Sequence, residues 1–142
     1  MRTKETDTNY LGGQIRTYQL VENFKVYYEL RHSKPRADRG SKIRVYSKSS
    51  ADLELKVKSR LIGSPSIKSS IQLSEKMEQL LMELSKGIGS FKWQSETHHL
   101  GWPEDLDHTK VLRFECKRID LAHEYLELIR QTHLKLQENI TV

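Results

Sequence analysis

The residues of this sequence best suited to chemistry lie in one segment rich in histidine and acidic side chains. This segment runs from residue 96 to 108 and includes two adjacent histidines and several carboxylates. Imidazole nitrogens and carboxylate oxygens bind divalent metals, so a metal site is sterically conceivable. Its candidate ligands are His98, His99, Asp105, Asp107 and His108. The spacing matches no defined metal motif. The alternative prediction is a solvated hairpin loop that Trp102 and Pro103 anchor to the body of the protein.

A sharper possibility combines this segment with the strand that follows it. Asp105 or Asp107, taken with Glu115 and Lys117, resembles the D…(D/E)xK pattern of the PD-(D/E)xK nucleases. The resemblance implies that two carboxylates hold Mg²⁺ and that Lys117 orients the attacking water. In this sequence the first acid lies in a loop rather than on a strand. The alternative is that Glu115 and Lys117 belong to the wet face of an ordinary strand, with cross-strand charge pairs.

Basic and aromatic residues alternate with apolar ones in the first half of the chain. Such alternation predicts strands with one buried and one solvated face. The solvated face and the loop beside it carry the candidate nucleic-acid-binding residues Lys25, Tyr27, Arg31, Lys34, Arg36, Arg39, Lys42, Arg44, Tyr46, Lys56, Lys58 and Arg60. Tyrosine rings stack on unpaired bases at about 1 to 3 kcal/mol each, and Lys and Arg neutralise phosphates. Alternatively, these residues only keep an exposed sheet soluble.

The charge distribution also indicates an anionic partner. The 142 residues carry a net charge of +5. Residues 1–72 contain 15 Lys/Arg and 7 Asp/Glu, a net +8, whereas residues 73–142 contain 9 and 12, a net −3. Both predicted helices lie in the acidic half. Contact with an anion is therefore expected from strands and loops rather than from a helix in the major groove.

The periodicity predicts an α+β fold with the element order βββββ-α-ββ-α. Strands are expected at 14–21, 24–32, 43–47, 52–62, 67–73, 91–97 and 110–119. Within the fourth of these, Leu61 is expected to face the core together with Leu53, Leu55 and Val57. This order favours an antiparallel sheet with two amphipathic helices packed on one face and the other face solvated.

Local signals mark the ends of both helices. Ser74 is the predicted N-cap of the first helix, and Gly87 is its predicted stop. Asp120 is the predicted cap of the last helix, which continues to about residue 138. The apolar arc of this last helix is broad, so part of it could support a homodimer as well as the core.

The sequence predicts a single α+β domain, residues 11–142, after a disordered tail at 1–10 that is polar and lacks apolar periodicity. There is neither a long apolar stretch nor a secretory signal, so no membrane partner is expected. An intracellular location, cytoplasmic or nuclear, follows, and the single Cys116 favours it as well. No cofactor is expected, except Mg²⁺ under the nuclease alternative.

The leading hypothesis is a non-enzymatic domain that binds single-stranded or structured RNA or DNA through a basic, tyrosine-bearing sheet face. The first alternative is the Mg²⁺-dependent nuclease. The second is a structural or adaptor subunit that acts through protein–protein contacts or through dimerisation by its last helix.

Overall fold

The computed structural model describes residues 2–6, 14–21, 24–31, 42–50, 52–99, 101–117 and 123–141. Their secondary structure, in chain order, is β1 (Arg2–Thr6), β2 (Gln14–Val21), β3 (Phe24–Arg31), β4 (Lys42–Lys48), β5 (Glu54–Lys58), β6 (Ser66–Ser69), α1 (Glu75–Ile88), β7 (Phe91–Thr97), β8 (Lys110–Cys116) and α2 (His123–Thr141). A short 3-10 helix, Glu104–Leu106, lies between β7 and β8.

The strands form one antiparallel sheet in the order β1-β2-β3-β4-β8-β7-β5-β6. The predicted α+β class and antiparallel sheet are confirmed. The two late strands lie in the middle of this order, so β8 pairs with β4 and β7 pairs with β5. Consequently β4 and β5, which are neighbours in sequence, lie on opposite sides of the β8–β7 pair. This insertion divides the basic first half of the chain between two parts of the sheet.

Both helices pack on the same face of the sheet, as predicted. The sheet contributes alternating residues that are fully buried, among them Ile43, Leu55 and Phe114, and the helices contribute Leu81 and Ile129. Aromatic rings fill the centre of this layer, where the centroids of Trp93 and Phe114 are 4.5 Å apart. The period-2 pattern of the strands and the 3.6-residue pattern of the helices therefore meet in one apolar core.

The first helix begins where the sequence predicts but ends later. The Ser74 side chain accepts a hydrogen bond from the Met77 backbone N–H at 3.1 Å, which is an N-cap. The predicted stop at Gly87 is wrong, since the helix continues to Ile88 and ends at Gly89, which has a φ of +80°. Gly87 has a different role: a Cβ added there would overlap the ring of Tyr125, so this glycine lets α2 approach α1 closely.

Two further elements differ from the sequence expectations. Arg2–Thr6, within the predicted tail, forms a strand paired with β2, because backbone pairing to a neighbour needs no apolar alternation. The strand predicted at 52–62 ends at Lys58, so Leu61 does not face the core and is instead fully exposed. The predicted cap Asp120 lies outside the described residues.

Candidate nucleic-acid interface

The sheet face opposite the helices carries a row of charged residues that crosses seven strands. The strand register places directly opposite one another, in order, Arg16, Glu29, Arg44, Glu115, Lys92, Lys56 and Lys68. Adjacent strands in a sheet are about 4.8 Å apart. The charge alternates in sign from Arg16 to Lys92, and the last three residues of the row are all positive. The face therefore has two parts with different chemistry.

We call the part on β2, β3, β4 and β8 the covered half, because a loop lies over its tyrosines. Tyr27 and Tyr46 are each only 4% exposed. They pack with Leu106 and Trp102 from the loop after β7, and the Trp102 ring lies 5.6 Å from that of Tyr27 and 6.3 Å from that of Tyr46. The prediction of solvent-exposed tyrosines is therefore wrong, since these rings already stack within the protein.

The loop over the covered half is held by hydrogen bonds at both of its ends. The backbone N–H of His98 donates to Thr109 O at 2.8 Å, and that of His108 donates to His98 O at 2.7 Å. Tyr27 donates its hydroxyl to Asp105 Oδ2 at 2.9 Å. Burial raises the pKa of Tyr27, and the hydrogen bond to Asp105 raises it further. The predicted anchoring of this loop through Trp102 is confirmed.

The cations of the covered half are paired with carboxylates. Glu29, which is 5% exposed, lies 3.1 Å from Arg16 Nε and 3.6 Å from Arg44 Nη1. Glu115 lies 3.2 Å from Arg44 Nε and 3.7 Å from Lys42 Nζ. Burial alone would raise the pKa of Glu115, but the attraction of the surrounding Arg and Lys side chains outweighs it and holds this pKa below its usual value.

The opposite part of the face has much less compensation, since Glu54 lies beside Lys56 and Lys68 but forms no ion pair with them among the described residues. We call it the lysine surface and define it as Lys56, Lys58, Lys68, Lys92 and Lys117. Lys92 is half-buried and the other four are exposed. Among the described residues, none of the five forms an ion pair, because Glu115, the nearest acid in the row, contacts Arg44, Arg113 and Lys42. Only solvent and salt therefore screen the repulsion between these cations.

Four lysines of this surface line one open cleft at the end of the sheet. The cleft has a volume of about 590 Å³ and is lined by Lys56, Lys58, Lys92 and Lys117. Its floor is apolar and includes Phe91 and Ile88. Glu115 is the one acidic side chain in the lining among the described residues. Cations that surround a concave surface with so little opposing charge create a positive potential there.

The structure distributes the predicted nucleic-acid-binding residues unevenly. Lys56, Lys58 and Arg60 are exposed on or next to the lysine surface. Lys25 forms an ion pair with Asp105 at 3.3 Å, and Lys42 and Arg44 are paired with Glu115. Arg31 ends β3, and its side chain lies outside the described residues, as do Lys34, Arg36 and Arg39 altogether.

Two members of the lysine surface cannot be recognised from the sequence pattern, and a third is predicted in another role. Lys68 and Lys92 are absent from the predicted set, and Lys117 was assigned to the nuclease alternative. Alternation with Phe91 and Trp93 does put Lys92 on the face away from the helices. The signal that was lacking is strand order, because only the pairing of β7 with β5 and of β5 with β6 brings Lys92, Lys56 and Lys68 together.

The histidines and acids of the segment 96–108 do not converge. His98 is buried, with its Nε2 3.7 Å from Asp107 Oδ1 and 3.4 Å from the Gly101 carbonyl. His99 and His108 are exposed, and Asp105 binds Tyr27. Across the described residues no group of three or more His, Cys, Asp or Glu side chains is arranged to hold a metal ion.

The residues of the nuclease alternative also make separate contacts. Asp105, an exposed residue of the loop itself, binds Tyr27 and Lys25. Glu115 is held by the arginines of the covered half, whereas Lys117 lines the cleft. A carboxylate already bound to two guanidinium groups is a poor ligand for Mg²⁺, since the metal would have to displace them.

A buried histidine links the sheet to α2. The Trp93 indole donates to His133 Nδ1 at 2.9 Å, so the neutral ring carries its proton on Nε2, which lies 2.6 Å from Ser47 Oγ. Ser47 in turn donates to Gln137 Oε1 at 2.6 Å. Burial lowers the pKa of His133 to about 3. This histidine cannot accept the Ser47 proton, so the cluster is structural rather than nucleophilic.

The apolar arc of α2, predicted as a possible dimer surface, is used by the core. Ile129 and Leu136 are fully buried, and Leu126, Leu128 and Leu134 pack against the same cluster. No helix in the described part of the chain is long and apolar enough to cross a membrane. In comparisons with known proteins, no family model, no curated protein and no solved structure matches this chain.

Proposed function

We propose that this protein binds nucleic acid through the phosphate backbone, and that the lysine surface is the contact. The observation that carries the proposal is the run of three like charges, Lys92, Lys56 and Lys68, directly opposite one another on adjacent strands. Like charges in that relation destabilise a sheet. Elsewhere in the same row each cation has only carboxylates opposite it, whereas in this run Lys92 faces one, Glu115, and Lys56 and Lys68 face none.

A polyanion is the ligand that relieves this repulsion most directly. Phosphates follow one another along a strand at a spacing comparable to that of neighbouring β-strands, so several lysines can be neutralised at once. Lysine contacts a phosphate as a point charge and recognises no base. The covered tyrosines leave no aromatic platform on this surface. Binding is therefore expected to be strongly salt-dependent and largely independent of sequence.

The test compares two double substitutions with the same change of charge. Lys56→Glu with Lys58→Glu reverses two cations of the lysine surface. Lys76→Glu with Lys135→Glu reverses two exposed lysines on the helices, on the far side of the molecule. Fluorescence anisotropy with labelled RNA and DNA oligonucleotides gives the association constant at several salt concentrations.

We expect Lys56→Glu with Lys58→Glu to abolish most binding at low salt. The slope of log K against log salt should become less steep by roughly 1.5 or more, because each phosphate contact contributes about 0.7 to 0.9 to its magnitude. The control pair should change affinity only slightly, through net charge. Wild-type protein that shows no binding at low salt would end the proposal. Equal losses for the two pairs would reduce it to an effect of net charge.

A further inference from the structure

The connection between β5 and β6 exposes two large apolar side chains that the fold does not use. Leu61 is 105% exposed and Ile62 is 90% exposed, and they are the exposed large hydrophobic residues among those described. They lie at the tip of a hairpin whose two strands carry Lys56, Lys58 and Lys68. A single exposed leucine is common, but two adjacent aliphatic residues with no protein contact are costly in water.

We propose that this tip is a wedge: Leu61 and Ile62 insert between stacked bases while the lysine surface holds the phosphates on either side. The inference rests on the proposed function and names its substrate class, a duplex or structured nucleic acid with a step that opens easily. Leu and Ile are among the apolar side chains that proteins insert between base pairs to kink a duplex. Inserting them also removes their apolar area from water.

The position of the lysines favours a nucleic acid over a membrane as the partner of the tip. An anionic bilayer that received Leu61 and Ile62 would lie across the end of the hairpin. Lys56 is five residues before Leu61, which at about 3.3 Å per residue is at most about 17 Å, since the strand itself ends at Lys58. The Debye length at physiological salt is about 8 Å, so Lys56 and its row would contribute little to such a contact, which leaves the nearer Lys58 and Arg60 to meet the surface charge. A phosphate backbone can instead follow the sheet face from the tip to Lys92.

The chemistry of unstacking determines which sites are preferred. Opening a base step costs a few kcal/mol, and less at a pyrimidine–purine step, a mismatch or a bulge. A wedge therefore gains most at such sites. We expect the wild-type protein to prefer a bulged duplex to a fully paired duplex of the same length and charge, a preference that phosphate contacts alone do not create.

The experiment uses duplexes that carry 2-aminopurine beside a TA step or a bulge, because the fluorescence of this base rises when its stacking is broken. Leu61→Ser with Ile62→Ser removes the wedge, and Leu61→Met with Ile62→Met keeps it apolar. We expect the serine variant to lose the fluorescence rise, the preference for the bulge and about tenfold in affinity, with an unchanged salt slope. The methionine variant should behave like the wild type.

The other outcomes separate the two proposals. A serine variant that binds and unstacks like the wild type would overturn the wedge and leave backbone binding intact. Wild-type protein that binds single strands but no duplex at low salt would overturn the wedge alone, and wild-type protein that binds neither would overturn both. A parallel assay uses vesicles of phosphatidylserine and phosphatidylcholine. Sedimentation with these vesicles that depends on Leu61 and Ile62, without a fluorescence rise on the duplex, would assign the tip to a membrane and overturn the wedge.

Discussion

The covered half and the lysine surface belong to the same face of one sheet, yet they handle charge in opposite ways. In the covered half Glu29 and Glu115 lie between arginines, and a loop seals the tyrosines. On the lysine surface the same cross-strand row continues with Lys92, Lys56 and Lys68 and no intervening acid. The first region satisfies its polar groups internally. The second leaves its cations without an ion pair among the described residues, which is why the proposed contact is expected there.

The difference also shows why a basic, aromatic composition is a weak guide to a binding face. Tyr27 and Arg44 have the residue types of a nucleic-acid contact, but both are bound to other protein groups. The lysines of β5, β6 and β7 have a plainer composition and remain available. What distinguishes the two regions is whether the cations form ion pairs with acids on the neighbouring strands, and that is a property of strand order.

The largest expected effect comes from the same substitution made in the covered half and at the hairpin tip beside the lysine surface. Leu106→Ala removes a side chain that is 6% exposed beneath the loop, whereas Leu61→Ala removes one with no protein contact. We expect Leu106→Ala to lower the free energy of unfolding by about 2 to 4 kcal/mol, and Leu61→Ala to change it by less than about 0.5 kcal/mol. Urea denaturation followed by tryptophan fluorescence measures both. Equal losses would mean that the loop does not seal the covered half.

Neutralising one charge in each region should have opposite effects on stability. Glu29→Gln leaves Arg16 and Arg44 without their shared carboxylate, so we expect a loss of about 1 to 3 kcal/mol. Lys56→Gln relieves repulsion in its row and should leave the free energy of unfolding unchanged or raise it by up to about 0.5 kcal/mol. The same denaturation experiment measures both. A stabilising Glu29→Gln would contradict the account of the covered half.

Lowering the pH should destabilise the covered half and leave the lysine surface unaffected. The pKa of Glu115 is lower in the folded protein than in the unfolded chain, so its stabilising contribution is complete above about pH 4.5 and is lost as the pH falls through the folded value. Glu115→Gln should therefore flatten the fall of stability below pH 4.5. Thermal denaturation across this range, with Glu54→Gln as an exposed control, measures the difference. Parallel curves of stability against pH for the wild type and Glu115→Gln would mean that the Glu115 carboxylate does not stabilise the covered half.

The smallest expected effect is a gain of affinity. Glu54 is exposed on β5, on the same sheet face as Lys56 and two residues before it. Glu54→Lys extends the lysine surface, and we expect about threefold tighter binding of oligonucleotides at low salt, an advantage that disappears at high salt. Anisotropy titration measures it. Unchanged affinity at low salt would place the contact away from β5.

The parts of this molecule that follow from local pattern could be predicted from its sequence. Alternation gives the strands and places Tyr27, Arg44 and Lys56 away from the helices, and the Ser74 cap marks the start of α1. The sealing of the covered half could not be predicted, because Tyr27 and Asp105 are 78 residues apart in sequence. Nor could the early end of β5 at Lys58, since Leu61 continues its apolar alternation. His133, at the margin of an apolar helical stripe, becomes a core residue only through its contacts with Trp93 and Ser47.

The most direct test of the central claim is to map the contact by NMR. Uniformly ¹⁵N-labelled protein is titrated with a short DNA or RNA duplex at low salt, and the amide shift changes are assigned to residues. The account predicts the largest changes in β5, β6 and the start of β7, around Lys56, Lys68 and Lys92, and little change around Tyr27 and Tyr46. Changes centred on Tyr27 and Tyr46 would contradict it, because they would mean that the covered half opens to bind.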